Sequence, residues 1–270
     1  MSQLPNTNEL ILEPAGSVLT IWFNRPEARN AVSAETVDEL NQVLDAVHDD
    51  RGIRSLVLRG KGGVFCAGAD IKGFKSGLQG EAPDLEAVAR RNRGFGDLMI
   101  KLNEQPQVVI MLVEGAAIGG GLGLACVGDV TIVCKDASFR LSETSLGIPP
   151  AQIAPFVTER VGLTQARRLM LTGARFKGEE ALHYGIAHIV AQDSDDLEVR
   201  CQQVLEQISA CAPGANATTK HIIFESTRRP RPEALDLAAR GFAECMLSDE
   251  GREGVSAFVE KRKPNWTEGK

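Results

Sequence analysis

The chain has 270 residues, 43% of them apolar, and a formal net charge of -6. That is enough for one large domain, or a large one with a helical appendage, and the acidic balance speaks against a nucleic-acid binder. Six cysteines without a CxxC pair, four histidines that do not cluster with them, and no apolar run near the roughly 18 residues of a membrane span exclude a zinc site, a disulfide framework and a membrane anchor from the reading.

In chain order, "SVLTIWFNRP" (17–26) reads as a strand, β-branched and aromatic, stopped by Pro26. "SAETVDELNQVLDAVHDD" (33–50) reads as a helix with Ser33 as N-cap and Val37, Leu40, Val43, Leu44 and Val47 at helical spacing. A short apolar strand follows in "IRSLVLRG" (53–60). "PDLEAVARRNRGFGDLMIKLNEQ" (83–105) predicts a long helix ended before Pro106. Its basic trio, Arg90, Arg91 and Arg93, reads as a solvated face, as does the run Arg228, Arg229 and Arg231 further on. "QVVIMLVEG" (107–115) and "DVTIVCKD" (129–136) are buried strands. Strands alternating with helices predict an α/β architecture. Beyond about residue 150 five stretches carry helical periodicity, at 163–173, 177–185, 196–212, 214–227 and 232–248, and only "IAHIVA" (186–191) looks like a strand. We therefore divide the chain into an α/β core over 1–195 and a helical region over 196–270. The opening "MSQLPNTNEL" has no basic segment before an apolar one, so the expected compartment is the cytoplasm.

Two loops stand out. Gly119, Gly120 and Gly121 follow a buried strand and precede "LGLACVG", a short helical candidate. A strand, a glycine turn and a helix N-terminus expose backbone N–H groups where the helix dipole favours negative charge. A tight turn with close helix–strand packing explains the same glycines equally well. The second loop, "GVFCAGADIKGF" (63–74), also follows a strand and sets small residues in a row, with Asp70 open to reading as a cap. Neither is a phosphate loop: no Lys-Ser/Thr follows the glycines and no GxGxxG opens the first helix. Downstream, Glu143 in "LSETSLG" lies between Leu141 and Leu146. Such flanks would raise a carboxyl pKa and suit it to acid–base work; Ser142 before it equally fits a helix start.

Together these stretches resemble the crotonase superfamily, the enoyl-CoA hydratase/isomerase group. The resemblance runs from "FNRPEARNAVS" through "FCAGADIKGF", "VEGAAIGGGLGLACVGDV" and "ASFRLSETSLGI" to "EGVSAFVEKRKPNW", nearly the whole chain. It implies a spiral of ββα units with a C-terminal helical part that builds trimers, often paired into hexamers. It implies an acyl-CoA thioester as substrate, CoA being part of that substrate, with no metal or redox cofactor and no nucleic-acid partner. By the same resemblance the N–H groups of Ala69 and Gly120 polarise the thioester carbonyl. Ala67, Asp70, Ile71 and Lys72 line the CoA site, and Ala28 lies where the chain passes the adenine or pantetheine end. Glu143 matches the acid/base. Two features depart from the pattern. Where two-glutamate hydratases carry their other carboxylate this chain has Gly123, and the usual glycine-rich run is replaced by "IPPAQIAPFV" (148–157), in which Gln152 is a candidate to hold water or simply a surface loop residue.

Three activities fit the resemblance: a hydratase working with one glutamate, a Δ3-Δ2 enoyl-CoA isomerase, for which one acid/base suffices, and a non-catalytic acyl-CoA-binding or RNA-associated homologue. The segment "LSETSLGIPPAQIAPFVTERVGLTQARRLMLTGARF" resembles the isohexenylglutaconyl-CoA hydratases of acyclic terpene breakdown, cousins of the methylglutaconyl-CoA hydratases, and favours the first. That substrate class implies a partner for a second carboxylate, with Arg140, Arg90, Arg91 and Gln152 as candidates. It also implies an apolar pocket, with Leu78, Leu85, Phe95 and Ile153 as candidates.

Overall fold

The computed structural model describes residues 3–70 and 84–268. Strands β1 (Leu10–Ala15) and β2 (Val18–Phe23) form an antiparallel hairpin. In β2 alternate residues, Leu19, Ile21 and Phe23, point into the core, as the period of a strand requires. Helix α1 (Ala34–Val47) opens as expected: the Ser33 hydroxyl accepts the Thr36 N–H at 3.0 Å, and the Thr36 hydroxyl accepts the Ser33 N–H at 3.3 Å. β3 (Ser55–Gly60) is buried along its whole length, the mark of a parallel strand covered on both faces. Helix α2 (Leu85–Asn103) follows, capped by Asp84 and ended before Pro106.

The chain then runs through β4 (Val108–Val113), β5 (Ala116–Ile118), helix α3 (Gly120–Val127), β6 (Val130–Cys134) and β7 (Ser138–Arg140). Helix α4 (Ala154–Thr172), β8 (Arg175–Lys177), helix α5 (Gly178–His183), β9 (Ile189–Ala191) and helix α6 (Ser194–Ala210) complete the α/β part. The main sheet has the order β1-β2-β3-β4-β6-β9, parallel from β2 onward, and a second sheet has the order β5-β7-β8. Three further helices close the chain: α7 (Pro213–Arg228), α8 (Arg231–Leu247) and α9 (Asp249–Val259).

The sequence-based division at residue 195 falls at the start of α6. That helix inserts Leu197, Cys201, Val204 and Ile208 into the core beside β6 and β9, so the change in packing comes at α7. α4 begins nine residues before the predicted 163. Gly162 (φ 75°, ψ 158°) breaks the helix, which is why the apolar period is legible only from Leu163. β1, the three-residue strands β5, β7 and β8, and helix α9 are not in the sequence reading.

Two side chains tie the later part of the chain to the sheet, one from α7 and one reaching the end of α6 and Trp266. The Lys220 ammonium on α7 meets the Asp129 carboxylate at 2.7 Å and the Gln107 carbonyl at 3.2 Å, while Asp129 also accepts the Val109 N–H at 2.7 Å. The Arg54 guanidinium donates to the carbonyls of Ile208 and Ser209, each at 3.0 Å, and of Cys211, and reaches the carbonyl of Trp266 at 3.0 Å. Among the described residues no helix is long and apolar enough to cross a membrane, and no group of His, Cys, Asp or Glu side chains is placed to hold a metal.

Candidate active site

The segment 64–70 leaves β3 and is laced in on both sides. On one side the Cys66 N–H donates to the Ala116 carbonyl and the Cys66 carbonyl accepts the Ile118 N–H, each at 3.0 Å, which aligns the segment with β5. On the other, Val32 N–H donates to the Gly68 carbonyl at 2.8 Å and Asp70 N–H to the Val32 carbonyl at 3.0 Å. Ala69 sits between those two bonds, so its own N–H faces the opposite way, toward α3. A Cβ built on Gly120 would lie 3.8 Å from the Ala69 nitrogen. Gly120 is the first residue of α3, where an N–H has no acceptor within the helix. Neither the Ala69 nor the Gly120 amide has an acceptor among the described residues, and both residues are accessible to solvent. Two adjacent, unclaimed N–H groups at a helix N-terminus are chemically suited to an anionic oxygen.

Gly119 makes this turn possible. Its φ of 52° and ψ of -119° belong to a region that side chains avoid. Its N–H donates to the Arg140 carbonyl at 2.8 Å, so the end of β7 is fastened beside the glycine run. Three residues later Glu143 opens a 3-10 turn (Glu143–Leu146), and its carboxylate comes back over Gly119: a Cβ there would lie 2.7 Å from Glu143 Oε1. Glu143 Oε2 is buried without a hydrogen-bond partner. Burial pushes this carboxyl above the usual carboxylate range, partly offset by the amides of Glu143 and Ser142. The flanking leucines contribute unequally, since Leu141 is buried while Leu146 is 55% exposed. Ser142 makes no side-chain cap bond, and Thr144 ties the turn to α4 by donating to the Met170 carbonyl at 2.9 Å.

Beside this polar centre the wall is apolar. Phe95 on α2 reaches Gly120, with its Cζ 3.5 Å from where a Cβ would stand. Gly123 is covered by Ile153 and Met99. Gln152 lies over Gly96 on α2, where its amide donates to Asn92 Oδ1 at 2.9 Å. Of the other candidates, Ala67 N–H bonds the Arg29 carbonyl at 3.0 Å, which brings the turn containing Ala28 alongside the second loop. Asp70 is ion-paired with Arg25 at 2.9 Å. Ile71, Lys72 and Leu78 lie outside the described residues.

Arg140 donates its Nε–H to the Gly173 carbonyl at the end of α4 (2.9 Å), which holds the side chain beside that helix terminus. One placement corrects the sequence reading. Leu85 is 78% exposed at the far end of α2, ten residues and about 15 Å along the helix from Phe95. The sequence reading did not single out Asn92 or Met99. Their signal was the spacing Asn92, Phe95, Gly96, Met99, one face of a helix.

A family model for enoyl-CoA hydratase/isomerase matches residues 13–269, and the chain belongs to that family. A probable enoyl-CoA hydratase of Bacillus subtilis is 34% identical over 97% of this chain and 98% of its own length. A carnitinyl-CoA dehydratase of Proteus mirabilis is also 34% identical, over 96% and 98%. Among solved structures, Pseudomonas aeruginosa AtuE superposes with a TM-score of 0.94 at 53% identity, covering 96% of this chain and all of that one. An enoyl-CoA hydratase/isomerase from Marinobacter aquaeolei gives 0.92 at 45% identity, covering 96% and 99%. The α/β fold is that of these neighbours, and the class of enzyme read from the sequence, a hydratase of the lyase type, is the class several relatives bear.

Proposed function

We propose that the chain hydrates the 2,3 double bond of an acyl-CoA thioester with Glu143 as its one acid/base, the observation that carries this being the half-buried Glu143 carboxylate, one oxygen unpartnered, beside two unclaimed N–H groups. In this reading the thioester oxygen lies between the N–H groups of Ala69 and Gly120. Charge that develops on it as water attacks the β-carbon is held there, so the intermediate is an enolate. Glu143 takes a proton from the attacking water and returns it to the α-carbon. The net change is the addition of one water molecule, with the glutamate restored. Ala28, Ala67, Asp70, Ile71 and Lys72 border the CoA moiety. Gln152, held by Asn92, borders the acyl end.

The substrate we favour is a 3-branched glutaconyl-CoA of the isohexenylglutaconyl type, from acyclic terpene breakdown. Phe95 and Ile153 supply apolar surface beside the acid, and Arg140, held at Gly173 through its Nε, with Arg90 and Arg91 on the exposed face of α2, are the cationic candidates for a second carboxylate. We further propose a trimer, or a pair of trimers, in the cytoplasm. Phe242, Leu247, Phe258 and Val259 on α8 and α9 are 69 to 85% exposed, a pattern that suits burial against another copy.

Turnover of 2-enoyl, 3-enoyl and 3-branched glutaconyl thioesters in heavy-oxygen water, read by mass spectrometry, tests the reading. Heavy oxygen on the β-carbon, with the branched diacid preferred, is the expected result. A shift of the double bond with no oxygen gained would make the enzyme an isomerase and overturn the hydratase reading.

A further inference from the structure

The seat over Gly123 is full. A Cβ added to Gly123 would lie 2.7 Å from Ile153 Cβ and 3.5 Å from Met99 Cε, so the room a side chain would use is taken by the isoleucine. Ile153 is 3% exposed and Met99 fully buried. The isoleucine is also held from behind, because its neighbour Gln152 is fixed over Gly96 by Asn92. Gly123 N–H bonds the Gly119 carbonyl at 3.0 Å, so the seat lies one helical turn from the glycine that carries the Glu143 carboxylate.

From this geometry we propose that Ile153 is a plug: it closes the acyl site one turn beyond Glu143, sets how large a β-carbon substituent the enzyme accepts, and bars α3 from carrying a second acid at position 123. This rests on the acyl-CoA reading above. A residue packed on bare glycine backbone has no side chain beneath it to fill the gap if it is cut back. Truncation therefore leaves an apolar cavity contiguous with the wall formed by Phe95 and Met99. Conversely, any side chain added at 123 must displace Ile153, and overpacking of a rigid core is destabilising. The two positions are therefore coupled, and their substitutions are non-additive.

The test uses the full-length parent, Ile153→Val, Ile153→Ala, Gly123→Ala and the double variant Gly123→Ala/Ile153→Ala. Two readouts are taken: kcat and KM for 2-enoyl-CoA thioesters with small and bulky β-substituents, and calorimetric binding of the matching saturated acyl-CoAs. Ile153→Ala is expected to move the bulky-to-small ratio of kcat/KM about tenfold toward the bulky thioester, chiefly through KM, with Ile153→Val shifting it less in the same direction. Gly123→Ala is expected to lower Tm and activity, and the double variant to regain much of both. A ratio unchanged within about twofold in folded Ile153→Ala and Ile153→Val would overturn the plug, as would a Gly123→Ala protein as stable and active as the parent. If the parent binds saturated acyl-CoAs but hydrates none, the hydratase reading fails alone, and the binding ratios still decide the plug. If it binds none, the acyl-CoA reading and the plug fall together.

Discussion

The α/β part and the last three helices are built to different standards of closure. In β3 every residue is buried, and β4 is nearly so. By contrast α7 buries no residue, α8 only Ala234 and Gly241, and α9 only Ala257. A 620 Å³ groove lined by Phe242, Met246, Val255 and Trp266 stays open among these helices. The first region completes its own core. The second is amphipathic without a counterpart on its outer face, held to the sheet by polar ties rather than by a shared interior. A helix that leaves large apolar side chains in water obtains its stability from packing elsewhere. The lesson is a separation of labour: the candidate site belongs to the closed region, and the open one carries the apolar surface on which the proposed assembly rests.

Four experiments probe that contrast. The largest effect is expected from Glu143→Gln, which should lower kcat by on the order of 10³-fold while acyl-CoA affinity and oligomeric state stay near those of the parent. Steady-state kinetics, calorimetry and light scattering check this, and full activity would remove Glu143 from the mechanism. Next is Gly119→Ala, which puts a side chain into a glycine-only conformation and against the Glu143 carboxylate. A loss of about 100-fold in kcat/KM is expected, with the assembly intact. In the open region, the double variant Phe242→Asp/Phe258→Asp should dissociate the assembly, seen by sedimentation, without altering the circular dichroism of the monomer.

The smallest effect is one of linkage. Burial raises the Glu143 pKa in the folded state, so its contribution to stability is fully present below the unfolded value and is lost as pH rises through the folded one. Glu143→Gln should therefore gain stability on the parent at about pH 8 and show no gain at about pH 4, measured by urea denaturation. A gain of equal size at both would exclude this account.

Much of this was legible beforehand, and the exceptions have physical causes. Ser33 announced its helix because an N-cap is a local event. The glycine run marked a tight turn into a helix, and Gly119 has the positive φ that such a turn demands. What stayed hidden depended on contacts across the fold. The second sheet is made of three-residue strands, too short to show a period, and Gly162 conceals the first half of α4. Glu143 was legible as a candidate, but its fastening through the Arg140 carbonyl to Gly119 was not. The bond from Arg140 to the Gly173 carbonyl was hidden too, because it joins residues 33 positions apart. Position 123 read as a missing acid, and only the packing showed that Ile153 already stood in its place.

The Arg54 fork has one consequence for how the molecule is made. It joins the approach to β3 with carbonyls at the end of α6 and with Trp266, 212 positions along the chain. During synthesis at roughly 5–20 residues per second, the guanidinium waits beside a growing sheet for more than ten seconds before its last acceptor exists. The nascent chain can thus assemble its parallel sheet first and fasten its end afterward. Replacing Arg54 by Ala should cost about 2 kcal/mol. The penalty would fall on the late step, leaving a ribosome-bound core free to form at its normal rate.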